Sequence, residues 1–207
     1  IPIDKESKES VAEKNYKSIR MRKRWTKIDV LLIDEISMVS AELFDMIDFV
    51  AKRCRGTEVN GRPLYHKSPM GGVQVIVVGD FCQLPPADSK SYAYESSAWK
   101  SLDFVNIVLK KIFRQKDPTF IRILNSLRFG RVSDSMEERL LQCDRPLNQA
   151  DGILPTKLYP LRTNVEAENK KFFDQLDGQI RSYECRDFAS SNQAKPFLKQ
   201  LNTIGVP

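Results

Sequence analysis

The sequence predicts an α/β fold: a mostly parallel, doubly wound sheet, with a second α/β unit beginning near residue 150. Two observations carry this. Apolar runs of strand length alternate along the chain with segments of helical period. Two of those runs, about forty-five residues apart, end in carboxylates. They are Val30-Leu31-Leu32-Ile33-Asp34-Glu35-Ile36-Ser37-Met38 and Val75-Ile76-Val77-Val78-Gly79-Asp80-Phe81-Cys82-Gln83-Leu84-Pro85-Pro86. A buried parallel strand delivers polar chemistry to the edge of a sheet in this way.

The elements follow in order. Residues 5–27 are polar and basic with few breakers, and predict an exposed helix. Trp25 leads into a first strand, Asp29 to Ile33. Ser40 suits the N-cap of the next helix, with Glu42 and Asp45 at its positive end. In that helix Leu43, Ile47, Val50 and Cys54 recur at helical spacing, with Phe44 and Ala51 beside them, which is a core stripe. Residues 56–72 hold Gly, Asn-Gly, Pro and the only histidine, and read as a loop. The second strand is Val73 to Val78, and the apolar run Phe104 to Ile112 reads as a third. Asp117 and Pro118 open a helix with Phe120, Ile121, Leu124 and Leu127 on one side and Gly130 as its stop. A short helix is predicted over 134–142 and a linker over 144–156. A strand over 157–161 follows, then a helix opened by the capping-box pattern Thr163-Asn164-Val165-Glu166. Gly178 stops it, and residues 179–188 alternate like a strand.

The chain has 207 residues and a formal charge of +6, unevenly spread. Lys17, Arg20, Arg22, Lys23, Arg24 and Lys27 form an acid-free basic run, and between Lys110 and Arg131 Asp117 is the single acid. Charge alone leaves two readings open, a solvated face and a surface turned toward phosphates. The four cysteines are widely spaced with no CxxC pair, and His66 is the sole histidine. This argues against zinc and against a disulfide framework, and fits a reducing compartment. No segment is long and apolar enough to span a membrane, and no signal peptide is visible. The chain starts at Ile1 rather than Met and closes on Gly205-Val206-Pro207, so it reads as a segment of a longer protein.

Asp34 and Glu35 are the first candidates for chemistry. Nucleotide hydrolysis needs a carboxylate to hold Mg²⁺ and a second group to orient the attacking water. Adjacent residues at a strand end can divide these roles, although an isolated Asp-Glu would read as a helix-capping pair. In the second motif Gly79 permits close backbone approach, and Pro85-Pro86 stiffens the exit. Gln83 can donate to a phosphate oxygen and accept from a water, which suits a sensor of the terminal phosphate. Arg114, after the third apolar run, offers a guanidinium fork for charge on a transferring phosphoryl group. On its own it reads equally well as one surface arginine among many.

At these residues the chain resembles the petite-integration-frequency (PIF-type) DNA helicases, in the 5′-to-3′ branch of helicase superfamily one. Asp34-Glu35-Ile36-Ser37-Met38 resembles their Walker B motif. Leu43-Phe44-Asp45 through Arg53 resembles their signature helix. Gly71-Gly72-Val73-Gln74 leading to Gly79-Asp80-Phe81 and Gln83-Leu84-Pro85-Pro86 resembles their third motif, and Phe113-Arg114-Gln115 their fourth. Tyr94-Glu95-Ser96 with Trp99-Lys100, and Leu127-Arg128-Phe129-Gly130, sit where similar family segments would. The match runs from about residue 5 to residue 190.

The resemblance implies two RecA-like domains that bind ATP and Mg²⁺ between them and pull on single-stranded DNA. Residues 1–150 would be the later part of the first and 151–207 the start of the second. Asp34 would hold Mg²⁺, through water, and Glu35 would activate the attacking water. Gln83 and Arg114 would contact the γ-phosphate, and Asn164 and Asn169 match positions without an assigned role. The implied partners are single-stranded and forked or structured DNA, with no membrane and a monomer on DNA. The implied setting is genome maintenance, in the nucleus or mitochondrion of a eukaryote.

The loop from Gly56 to Met70 is longer than the family pattern leads one to expect. None of the nine glycines begins a G-x-x-x-x-G-K-[ST] phosphate loop. The sequence therefore holds the middle of such an engine without its phosphate cradle. Two alternatives stay open: a truncated, non-catalytic nucleic-acid-binding remnant, and a helicase borne by a mobile element.

Overall fold

The computed structural model describes residues 7–87, 89–145, 156–179, 181 and 183. The chain divides into two units, Ile1–Arg145 and Pro146–Pro207. In the first, α1 (Lys8–Lys17) and α2 (Ile19–Lys27) precede β1 (Val30–Ile33) and α3 (Ala41–Arg55). A hairpin of β2 (Thr57–Val59) and β3 (Arg62–Leu64) leads to β4 (Gln74–Val77). Then come α4 (Ser97–Leu102), α5 (Pro118–Arg128) and α6 (Asp134–Leu141). The second unit contributes α7 (Arg162–Phe173).

β1 and β4 pair in parallel, Val30 opposite Gln74 through Ile33 opposite Val77. The pairing continues past the strand ends, because Val78 N–H donates to the Ile33 carbonyl at 2.9 Å and Ile36 N–H to the Val78 carbonyl at 3.1 Å. The α/β class with a parallel sheet is thus borne out. Along both strands side chains alternate. Leu31, Ile33, Val75 and Val77 pack on the core, and Leu32 and Ile76 face outward.

Helix α3 organises this unit. Ser40 caps it as expected, its Oγ accepting from Leu43 N–H at 3.2 Å. The expected core stripe proves wider than one face, because α3 is covered on two sides. Phe44 joins Ile36, Met70, Val73, Ala93 and Ala98 beneath the sheet. Met46, Val50 and Cys54 pack with Val11 and Ala12 of α1, against Trp25 and Phe49. Burying a side chain the size of Phe44 contributes about 2–3 kcal/mol. Polar residues of α3 hold the surrounding loops. Glu42 accepts from the hydroxyls of Ser89 and Ser91 at 3.2 and 3.0 Å. Asp45 accepts from Ala98 N–H at 2.8 Å, and Asp48 from Met70 N–H at 2.6 Å. Arg55, at the helix end, donates to the carbonyls of Gly71, Trp25 and Ile28 at 2.7, 2.7 and 3.1 Å.

Several expectations are corrected. The single exposed helix over 5–27 is two helices. Ser18 closes α1 in an extended conformation and caps α2, accepting from Met21 N–H at 3.4 Å. Val11 and Ala12 are buried against α3 rather than exposed. The loop 56–72 contains the β2–β3 hairpin, turned by Asn60 and Gly61 at φ 50° and 72°. Residues 104–112 are not a strand. Phe104 packs on Trp99 with ring centroids 4.5 Å apart, but Val105, Ile107, Val108 and Leu109 are exposed. Among the described residues no neighbouring strand pairs with them, and an extended run becomes a strand only through such a ladder.

The short helix α4, capped by Ser96, had no counterpart among the sequence-derived elements. In α5, opened by Asp117 and Pro118 and stopped at Gly130 (φ 64°), the buried residue is Ile123. The short helix over 134–142 is present as α6.

In the second unit residues 157–161 are irregular, with Leu158 exposed. Thr163 is no cap, because α7 already begins at Arg162, whose side chain pairs with Glu166 at 2.9 Å. Most of the linker 144–156 and of the alternating stretch 179–188 lies outside the described residues. Among the described residues no helix is long and apolar enough to cross a membrane.

Candidate functional site: the carboxyl edge of the parallel pair

The two strand-end motifs meet at one edge of the sheet. Asp34 leaves β1 with its Oδ1 accepting from Glu35 N–H at 2.8 Å. Glu35 then turns into the left-handed region, φ 52° and ψ 46°, and opens a single 3₁₀ turn over Ile36–Met38. A β-carbon makes that conformation unfavourable by about 1–2 kcal/mol. Such local strain persists where surrounding structure enforces it. Here the enforcing bond is Ile36 N–H to the Val78 carbonyl. The Glu35 and Asp34 side chains are exposed and form no ion pair among the described residues. Behind them the hydroxyl of Ser37 is fully buried without a hydrogen-bond partner.

Gly79 leaves β4 at φ 155° and lies against that turn. A β-carbon there would come within 2.9 Å of Ile36 N and 3.0 Å of Ile36 Cγ2. Close backbone approach is therefore its physical role. Asp80 follows and folds the loop on itself, its carboxylate accepting from Cys82 N–H at 3.0 Å and its carbonyl from Gln83 N–H at 2.9 Å. Phe81 anchors the loop in the core, edge-on to Tyr94 and Trp99 at 4.9 and 6.0 Å. Gln83 is held at the surface of this turn.

Arg128 at the end of α5 completes the loop by pairing with Asp80 at 2.7 Å. Burial pushes the Asp80 carboxyl up, but the Cys82 N–H, the Arg128 guanidinium and the Gln83 side chain outweigh it. They hold the group below its usual 3.8. The sequence offered Arg128 only as part of a family-like segment. Its partner is 48 residues away, and only folding reveals the pair.

The structure thus sets the turn of Asp34 and Glu35 beside the exit of β4 through the Ile36–Val78 backbone hydrogen bond, and Gln83 follows five residues after Val78 in the Asp80 turn. Arg114 stands apart. It is exposed in the irregular stretch before α5 and makes no hydrogen bond or ion pair among the described residues. Asn164 and Asn169 lie on α7 in the second unit.

Carboxylates and a polar amide gathered outside the carboxyl ends of parallel strands are the general layout of ligand-binding α/β proteins. Comparison with known proteins makes this specific. The chain belongs to the PIF1-like helicase family, whose model matches residues 1–138. It is 38% identical over 186 residues to the ATP-dependent DNA helicase PIF1 of Saccharomyces cerevisiae, covering 85% of this chain and 20% of that protein. Among solved structures, the Pif1 helicase of Candida albicans is 34% identical with a TM-score of 0.79, over 98% of this chain and 44% of that one. A Bacteroides Pif1 helicase in complex with ADP-AlF3 and ssDNA is 25% identical with a TM-score of 0.64, over 86% of this chain and 41% of that one. The chain spans about a fifth of the length of the yeast relative.

Proposed function

We propose that this chain is the middle part of an ATP-dependent 5′-to-3′ DNA helicase, which couples ATP hydrolysis to movement along single-stranded DNA and to duplex unwinding. The observation that carries the proposal is the shared edge of β1 and β4. There Asp34-Glu35 and the Gly79–Gln83 turn are tied by the Ile36 and Val78 backbone hydrogen bonds. Residues 1–150 would belong to the first RecA-like domain and 151–207 to the second.

The donor set fits Mg²⁺. Asp34 and Glu35 offer hard oxygen ligands that pair with no cation among the described residues, and Mg²⁺ is commonly held by one or two carboxylates plus waters and phosphates. When bound, the ion would neutralise charge on the phosphates. Asp34 would hold it through water. Glu35, fixed by its left-handed turn, would take the proton of the attacking water. Gln83, presented by the Asp80 turn, would register the γ-phosphate. Arg114 would reach that phosphate from the stretch before α5. Single-stranded and forked DNA are the proposed partners, with the protein monomeric on DNA and no membrane involved. The proposed setting is DNA repair, recombination and telomere maintenance, in a reducing compartment such as the nucleus or mitochondrion of a eukaryote.

The test is ATP turnover by a protein that carries this segment together with a phosphate loop. Glu35→Gln is expected to abolish DNA-stimulated hydrolysis while nucleotide still binds. Undiminished turnover by that variant would overturn the assignment. A second reading, a non-catalytic nucleic-acid-binding remnant, rests on the acid-free basic run from Lys17 to Lys27. Robust Mg²⁺-dependent hydrolysis by the 207-residue chain alone would eliminate it.

A further inference from the structure

Helix α2 carries a feature that the nucleotide edge does not explain. Trp25 and Ile28 turn from its end toward the two cores, and Arg22 lies over the Tyr16 ring at 5.0 Å. Arg20, Lys23, Arg24 and Lys27 are all exposed. Their spacing of i, i+3, i+4 and i+7 puts them on one face of the helix. Their side chains make no hydrogen bond or ion pair among the described residues, and α2 contains no acid.

Helix stability does not account for this stripe. Lys27 and Arg24 suit the negative end of the helix dipole, but Arg20 and Lys23 lie toward its positive end, where the first turn has no acid. Arg20–Arg24 and Lys23–Lys27 are like-charge i,i+4 pairs, each unfavourable by a few tenths of a kcal/mol. Solvation makes the stripe tolerable, but only a polyanion turns it to advantage.

We infer that the exposed face of α2 is a nucleic-acid contact separate from the carboxyl edge of the sheet, in which Arg20, Lys23, Arg24 and Lys27 bind successive phosphates of a DNA backbone. From Arg20 to Lys27 the helix rises about 10 Å, about three steps of the ~3.4 Å rise of one duplex strand, so the four side chains match about four successive phosphates. A membrane surface fits less well. It would need an apolar face beside the basic one, and Trp25 is turned inward, leaving Ile19 as the exposed large apolar residue of α2. The end of α2 joins β1 at its first residues, the opposite end of that strand from Asp34 and Glu35. The stripe would hold DNA away from the nucleotide edge. The inference shares the DNA partner of the proposed function but not its hydrolytic step.

The test is fluorescence anisotropy of labelled single-stranded, duplex and forked DNA with the 207-residue chain across a salt series. The quadruple variant Arg20→Gln, Lys23→Gln, Arg24→Gln, Lys27→Gln keeps good helix formers at exposed positions, and circular dichroism checks its fold. A control variant removes as many exposed cations elsewhere (Arg62, Lys67, Lys90 and Lys100, each to Gln). The stripe variant should bind about tenfold or more weakly near 50 mM salt. Its log–log salt slope should be shallower by about 3, at 0.7–0.9 for each lost phosphate contact. The arm with the largest loss identifies which DNA form the stripe holds.

An unchanged slope, an equal loss in the control, no DNA binding by the wild-type chain, or equal binding to polyglutamate or anionic vesicles would each overturn the inference. If a protein carrying the segment binds DNA through the stripe yet never hydrolyses ATP, the proposed function fails and this inference stands.

Discussion

Arg128 grips Asp80 with two nitrogens, Nε to Oδ2 at 2.7 Å and Nη2 to Oδ1 at 2.9 Å. This fork fixes the turn that presents Gln83. The pair is partly exposed, so its contribution to stability is at most about 1 kcal/mol. Removing it should therefore disturb function more than folding. In a protein carrying this segment, Arg128→Ala is expected to lower DNA-stimulated ATP turnover about tenfold, with a melting temperature within a few degrees of wild type. Arg128→Lys, which cannot form the fork, should rescue only part of the loss. Turnover equal to wild type in Arg128→Ala would show that the fork does not position Gln83.

Glu35 holds a backbone conformation that glycine adopts without strain. Glu35→Gly is expected to raise stability by about 0.5–1 kcal/mol, the relieved strain less the entropy that glycine loses on folding. Chemical denaturation of the 207-residue chain measures this. A destabilised variant would mean that the Glu35 side chain, rather than the Ile36–Val78 bond, holds the turn.

Gly79→Ala tests the contact between the two motifs. Its methyl group would sit 2.9 Å from Ile36 N at a φ of 155°. The clash with backbone cannot be relieved by a side-chain rotation, so a loss of about 2–3 kcal/mol is expected in the same assay.

Glu13 makes stability depend on pH. Hydrogen bonds from Arg53 chiefly, and the nearby charges of Arg53 and Lys17, hold its carboxyl below its ordinary 4.5 despite partial burial. A lowered folded-state value means that this stability is fully present above about pH 4.5 and is lost as pH falls through the folded value. Arg53 is buried, with its guanidinium 3.3 Å from the Tyr16 ring centroid. Arg53 keeps Glu58 at 3.8 Å and the Glu13 side chain is a third exposed, so Glu13→Gln should lower stability by about 1 kcal/mol near neutral pH and flatten the acid limb of a melting-temperature profile.

Cys54 and Cys82 should differ in reactivity. Burial pushes the Cys54 thiol up to about 11, whereas Cys82 is exposed beside Asp80. Alkylation under native conditions with peptide mapping should label Cys82 early and Cys54 last.

Much of the carboxyl edge of the β1–β4 pair was legible in the sequence. An apolar run that stops at a carboxylate, or at a glycine followed by one, states both the strand and its end. Ser40 and Asp117 likewise announced their helices by side-chain capping. The hairpin was missed because β2 and β3 are three residues each and exposed throughout, so neither alternates in burial. Its Asn60-Gly61 turn was the available signal. Residues 104–112 misled because apolarity reports a preference for burial and cannot supply the neighbouring strand. The Arg128–Asp80 fork was illegible because it joins segments with no local relationship.

The three carbonyls held by Arg55 belong to α2, to the entry of β1 and to the turn before β4. One guanidinium, itself at the end of α3, thus ties the junction of α2 and β1 to the turn before β4. The α1–α2 layer is therefore not a flap that opens independently of the sheet. Its amides should exchange with solvent together with those of β1 and β4, as one cooperative unit, and Arg55→Ala should split that unit in two.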